Sequence, residues 1–234
     1  MLSDALHYPL DSDDWLRTIL IGGLLSVLSV LVIPVPLLQG YYVRVLRGTT
    51  RGEAAPPAFE EWGDLFVDGL KLIGVNIAVS LVVVVAMFVV GIVTGLGSAI
   101  GSGAAPAVGS GANGGFGGLG GLGGLVTVVA FFAFVVFALL LGYVAPAMFA
   151  NFAREDSMAA AFDVSTVLAA ATTSDYLIAW VLAVVVALVL GTIASLLSIV
   201  VVGIFALFYV QVVTYYLFGR GFADGLADAQ RGSL

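Results

Sequence analysis

Leu72-Ile73-Gly74-Val75-Asn76-Ile77-Ala78-Val79-Ser80-Leu81-Val82-Val83-Val84-Val85-Ala86-Met87-Phe88-Val89-Val90, just after Lys71, opens a run without a charged side chain that ends only at Arg154. Two further runs lack charge, Thr18 to Val43 and Tyr176 to Gly219. Soluble domains carry roughly a quarter charged residues. Runs of this length therefore have hydrocarbon as their solvent, and the chain reads as an all-α, polytopic transmembrane helical bundle.

Composition agrees. With 61% hydrophobic and 10% charged residues, too little polar surface remains to cover a water-soluble core. The charges gather at the N-terminus, in 44–71, in 154–175 and after Arg220, which marks the aqueous segments. The net charge of -7 repels phosphate backbones and excludes nucleic acid as a partner; it also suits a halophile's surface. No cysteine is present, so disulfides, thiolate metal sites and S-palmitoylation are excluded. Asp4, Asp11, Asp13 and Asp14 precede the first apolar run where a signal peptide would be basic, which makes that run a permanent span.

A helix needs about 20 apolar residues to cross about 30 Å of hydrocarbon. The longest run has room for two helices only because its middle is not helical. Repeated glycines, Pro106 and Asn113 between Gly95 and Gly124 forfeit too much backbone entropy, so a flexible loop is expected over 97–124. The expected spans are 16–38, 70–96, 125–149, 177–197 and 202–218. Bending of the first into a shallow hairpin raises the count from five to six. Arg44, Arg47, Arg51, Lys71, Arg154, Arg220 and Arg231 place the charged loops and C-terminus in the cytoplasm. The N-terminus and glycine loop then face outward, in a multi-pass protein of the cell membrane.

Three exits share a pattern. Pro36 precedes Tyr41, Tyr42 and Arg44; Pro146 precedes Asn151, Phe152 and Arg154; and Tyr215 and Tyr216 precede Arg220. Aromatic rings at headgroup depth with arginine snorkelling beyond form an interfacial belt. Its recurrence also fits an internal duplication. Phe59, Trp62, Phe66, Leu70 and Ile73 recur at helical spacing, with Glu60, Glu61, Asp64 and Asp68 on other faces, as in an amphipathic interfacial helix. A second such helix is expected over Met158–Ala171, with Asp156 as its N-cap.

Polar groups at membrane depth are few and uncharged: Asn76, Gln211, Gln39 and Asn151. They are candidate contacts, either cross-helix hydrogen bonds or substrate ligands. No span holds a carboxylate or histidine for proton relay, which weighs against ion-coupled transport. His7 stands alone, so neither a catalytic triad nor a multi-histidine metal site can form, and no catalytic residue, cofactor or metal is expected. An enzyme would need carboxylates converging at the cytoplasmic surface, such as Asp64, Asp68 and Asp163. The glycine stretch lacks the Gly-Lys-Ser/Thr ending of a phosphate loop.

Ala5-x-x-Tyr8-Pro9, Asp13-Asp14-Trp15, Gly40-Tyr41 through Arg47, and Phe59-x-x-Trp62-Gly63-Asp64-x-Phe66-x-x-Gly69 form a recognisable pattern. Asn151-Phe152-Ala153 and Phe205–Gly219 extend it. The pattern resembles the archaeal membrane family known as domain of unknown function 4013, common in halophiles. The resemblance implies a membrane architecture and a haloarchaeal source, and no activity. The expected role is a non-enzymatic structural or interaction protein touching the bilayer, a membrane-protein partner or further copies of itself. A small permease or channel-like protein for an uncharged or lipidic substrate is the alternative.

Overall fold

The computed structural model describes residues 1–102 and 121–232. Every regular element among them is helical: α1 (Leu2–His7), α2 (Trp15–Leu28), α3 (Pro34–Thr50), α4 (Trp62–Ser102), α5 (Gly121–Glu155), α6 (Val164–Ala171), α7 (Ser174–Leu197) and α8 (Val202–Gly232). Two compact units form, one from Met1–Asn76 with Tyr143–Leu234 and one from Ile77–Gly142.

In the larger unit α8 is the central post, packing against α1, α2, α3, α6 and α7. Gly22 and Gly23 of α2 admit the rings of Phe208 and Phe205; a Cβ at either glycine would sit 2.1–2.2 Å from ring carbon. Tyr42 stacks on Tyr215 with centroids 4.8 Å apart, and Tyr41 stacks on Phe59 at 4.3 Å. Such pairs add about 0.5–1.5 kcal/mol each beyond the area they bury. Gly40 and Gly69 mark where α3 and α4 touch through backbone: a Cβ on Gly40 would lie 1.8 Å from the Leu65 carbonyl oxygen, and one on Gly69 1.7 Å from that of Pro36.

The stretch 16–38, expected as one span, is two helices. Apolarity continues across the break, but α2 ends at Leu28 and Val32 takes a positive φ of 66°. Pro34 then starts α3 at a position that needs no amide hydrogen. Fourteen residues of α2 extend about 21 Å, short of the about 30 Å hydrocarbon layer. Four helices are each long and apolar enough to cross a membrane: Trp62–Gly97, Gly123–Glu155, Ser174–Leu197 and Val202–Gly232. Leu2–Leu10 and Trp15–Leu31 form a further, bent pair at 87°.

The reversal relocates the N-terminus. It was expected on the side opposite the charged exits, yet the Tyr8 ring lies 4.5 Å from Tyr216, and the Tyr209 hydroxyl donates to the Leu6 carbonyl. The amino terminus holds the Asp4 carboxyl below its usual range by hydrogen bond and charge, and Arg220 adds to this. Residues 1–11 thus sit with the Arg220 end of α8. A charge-free run reports how much chain is apolar, not which way it runs.

The expected interfacial helix over Phe59–Ile73 is the first part of α4, continuous with the span that follows. Over Met158–Ala171 a 3-10 turn (Met158–Phe162) precedes α6, whose N-cap is Asp163, accepting from the Thr166 amide, and not Asp156. α8 runs through Arg220 to Gly232, well past the expected end at 218. Most of the expected loop 97–124 lies outside the described residues, and 97–102 and 121–124 are helical.

In the smaller unit, 77–97 of α4 and 123–142 of α5 carry apolar side chains on nearly all faces. Only 6% of the most apolar window of either helix is buried, and both helices are long and apolar enough to cross a membrane.

Candidate functional site

Polar chemistry in the larger unit converges on a cleft of about 440 Å³. One wall is the last two turns of α3, where Arg44, Arg47 and Arg51 fall on one face at helical spacing. The opposite wall is the start of α4, contributing Asp64, Val67, Asp68 and Lys71. Glu53, Pro57 and Glu61 from the connecting segment and Asp156 beyond α5 complete it.

The local chain geometry explains this placement. α3 closes in a Schellman motif: the Glu53 amide donates to the Gly48 carbonyl (2.9 Å), the Gly52 amide donates to that of Thr49 (3.1 Å), and Gly52 takes φ 80°. Glycine suits that left-handed position because it carries no Cβ. Glu61, just before α4, and Asp156, just after α5, hold φ of 50° and 51°, which L side chains adopt at a cost. Both turn their carboxylates onto α3. Arg44 pairs with Glu61 (3.3 Å) and donates to the Glu60 carbonyl (2.9 Å).

At the centre four charges close on one another. Arg47 donates to Asp68 (3.0 Å), to Asp156 (3.1 Å) and to the Ala153 carbonyl (3.2 Å). Lys71 reaches Asp156 at 3.0 Å and Asp68 at 3.6 Å. The Asp68 side chain is only 10% exposed, so its partners must remain in place to offset desolvation. This lattice ties α3, α4 and the end of α5 together.

The sequence candidates disperse. Asn76 is half-buried, and its amide donates to the Leu72 carbonyl of its own helix (3.2 Å). Gln211 is exposed, and Gln39 is half-buried with its side-chain oxygen unpartnered among the described residues. Asn151 is buried and donates to the Ala160 carbonyl (2.8 Å), fixing the 3-10 turn. Tyr41, Tyr42 and Phe152, expected among the interfacial anchors, are buried in the unit's core. Tyr41 and Tyr42 pack ring on ring against Phe59 and Tyr215. Tyr215 and Tyr216 are half-buried; Arg154 pairs with Glu155 (2.8 Å) and lies over the Phe222 ring, and Arg220 pairs with Asp224 (3.4 Å).

Of the three carboxylates considered together, Asp64 and Asp68 line the cleft. Asp163 instead accepts from the hydroxyls of Ser165 (2.6 Å) and Thr166 (2.7 Å). Those bonds hold its carboxyl down at about 2. Burial pushes the Tyr8 phenol up, with Glu53 and Tyr216 adding to it. Among the described residues no three His, Asp or Glu converge as metal ligands. Sequence reasoning missed the lattice because Arg47 meets Asp156 across 109 positions, beyond any local pattern.

The family described as "Protein of unknown function (DUF4013)" matches residues 23–199, more than half of the chain. The chain belongs to this family. Every residue lining the cleft of this DUF4013 protein falls inside the matched span, while α1 and α8 lie outside it. No curated protein and no solved structure matches.

Proposed function

We propose that this DUF4013 chain is a non-enzymatic, multi-pass protein of the cell membrane that organises other membrane components through its helix surfaces. The observation carrying this reading is the smaller unit: only 6% of the most apolar window of each of its two helices is buried and Ile77–Gly142 holds no charged residue, which suits a surface for lipid and for partner helices. The partners are the bilayer and either another membrane protein or a second copy. Nucleic acid is excluded by the acidic balance of -7, which also fits a salt-adapted, archaeal source. Arg44, Arg47, Arg51, Lys71, Arg154 and Arg220 set the cleft end in the cytoplasm by the positive-inside rule. The N-terminal segment goes with them, because Tyr8 packs on Tyr216.

A permease for an uncharged or lipidic substrate is the second reading. It draws on the break at Val32, since interrupted helices line pathways in transporters. Copurification from native membranes in mild detergent separates the two. A stoichiometric protein partner, or a defined homo-oligomer, supports the first. A monomer that retains a small molecule and moves it across liposome membranes overturns the first in favour of the second.

A further inference from the structure

We propose that the cleft between α3 and the start of α4 binds an amphoteric headgroup, a phosphate joined to an ammonium within a few bonds, and that a membrane phospholipid supplies it. The first support is the charge left over. Arg44, Arg47 and Lys71 are engaged by Glu61, Asp68 and Asp156. The cleft's remaining charged side chains, Arg51, Glu53 and Asp64, make no ion pair among the described residues. A simple anion drawn to Arg51 meets two free carboxylates, and a simple cation drawn to those meets the guanidinium. A ligand carrying both signs satisfies all three. The volume, about 440 Å³, lies within the range of small-molecule sites.

The second support is backbone. Two of the three non-glycine residues with positive φ among those described, Glu61 and Asp156, line this cleft and aim their carboxylates at α3 arginines. Unfavourable conformations collected around one opening hold it in a set shape before a ligand arrives. The third observation selects the source. Trp62, Phe66, Val67 and Leu70 are exposed by 37–49% on the same turns of α4, and Val67 is itself a cleft wall. An acyl chain leaving the headgroup finds apolar surface at once, which a soluble zwitterion would leave unused.

The inference rests on membrane residence alone and not on a protein partner, so failure of either proposal leaves the other standing. The test is native mass spectrometry of the full chain in an uncharged maltoside detergent. It is titrated with short-chain phosphatidylethanolamine, phosphatidylglycerol and diacylglycerol. Phosphatidylethanolamine is expected to bind tightest, and Arg51→Ala and Asp64→Asn each to weaken it at least about tenfold. Arg51→Lys and Asp64→Glu are expected to restore most of the affinity, and Arg231→Ala to leave it unchanged. Competition by soluble glycerophosphoethanolamine supports the shared headgroup chemistry with a free source. Its failure to compete, where the lipid binds, supports the lipid source. Equal binding of phosphatidylglycerol overturns the proposal, as does retention of phosphatidylethanolamine binding in both charge-removing variants, or no binding at all.

Discussion

Replacing Gly40 with alanine places a methyl group 1.8 Å from the Leu65 carbonyl oxygen, where ordinary contact begins at 3.4 Å. The obstacle is backbone, so no rotamer change relieves it. Helices α3 and α4 must part by roughly 1.6 Å, and a gap of that size forfeits most of the dispersion between them. Overpacking of this kind costs about 1–3 kcal/mol, and the upper end applies where the clash is with main chain. Removing a helical glycine returns about 1 kcal/mol of propensity, leaving a net loss of about 2 kcal/mol. Separation also stretches the Arg47–Asp68 pair, which joins the same two helices, and the Arg44–Glu61 pair just before α4. Gly63 is the internal control, since its Cβ would meet nothing within 4 Å, and its alanine variant should gain up to about 1 kcal/mol. Reversible unfolding in mixed micelles, read by tryptophan fluorescence, gives both values. If Gly40→Ala unfolds at the same denaturant as Gly63→Ala, the backbone contact between α3 and α4 does not exist.

Asp68→Asn should cost about 3 kcal/mol in the same assay, because its side chain is 10% exposed and two cations lose their shared partner. Asp156→Asn, at 53% exposure, should cost less than about 1 kcal/mol, and equal losses would contradict the assigned burial. The Asp163 carboxyl is lowered from its ordinary 3.8 to about 2, so its capping contribution is complete above 3.8 and fades as pH falls through 2. Amide protection at Thr166 should follow that course, and steady protection through pH 2 would refute the cap. Because the chain has no cysteine, Ser3→Cys and Ala227→Cys can each be labelled without background. Both should react with a membrane-impermeant reagent from the same side; reaction from opposite sides would rule out the α2–α3 reversal.

Sequence alone reached the long apolar helices because length and apolar composition are read directly from it: α5 ends and α7 begins close to where charge stops. A bend in the first run was only an alternative, because Val32, a β-branched residue with positive φ, gives no compositional sign of its backbone. The fate of Tyr41 and Tyr42 was hidden for a different reason. An aromatic near a helix exit reads the same whether it meets headgroups or Phe59 and Tyr215, and only the tertiary fold decides. The cleft was only partly legible: the sequence groups Asp64 and Asp68 with Asp163, and Arg44, Arg47 and Arg51 speak there only through their charge. Asp156 was not legible as their partner, since it is contributed from beyond two intervening apolar helices.

That separation along the chain has a consequence for biogenesis. The larger unit is discontinuous, Met1–Asn76 and Tyr143–Leu234, with the smaller unit's residues between them. During vectorial synthesis, Arg47, Asp68 and Lys71 emerge with two cations facing one acid, and Asp156 arrives only after the whole of 77–142 has been made. The N-terminal third therefore waits, incompletely neutralised and with Tyr41, Tyr42 and Phe208's future seat uncovered, until the last helix is released. Synthesis of 77–142 must precede closure of the ends, which makes the waiting N-terminal third the stage most exposed to misassembly and to quality control.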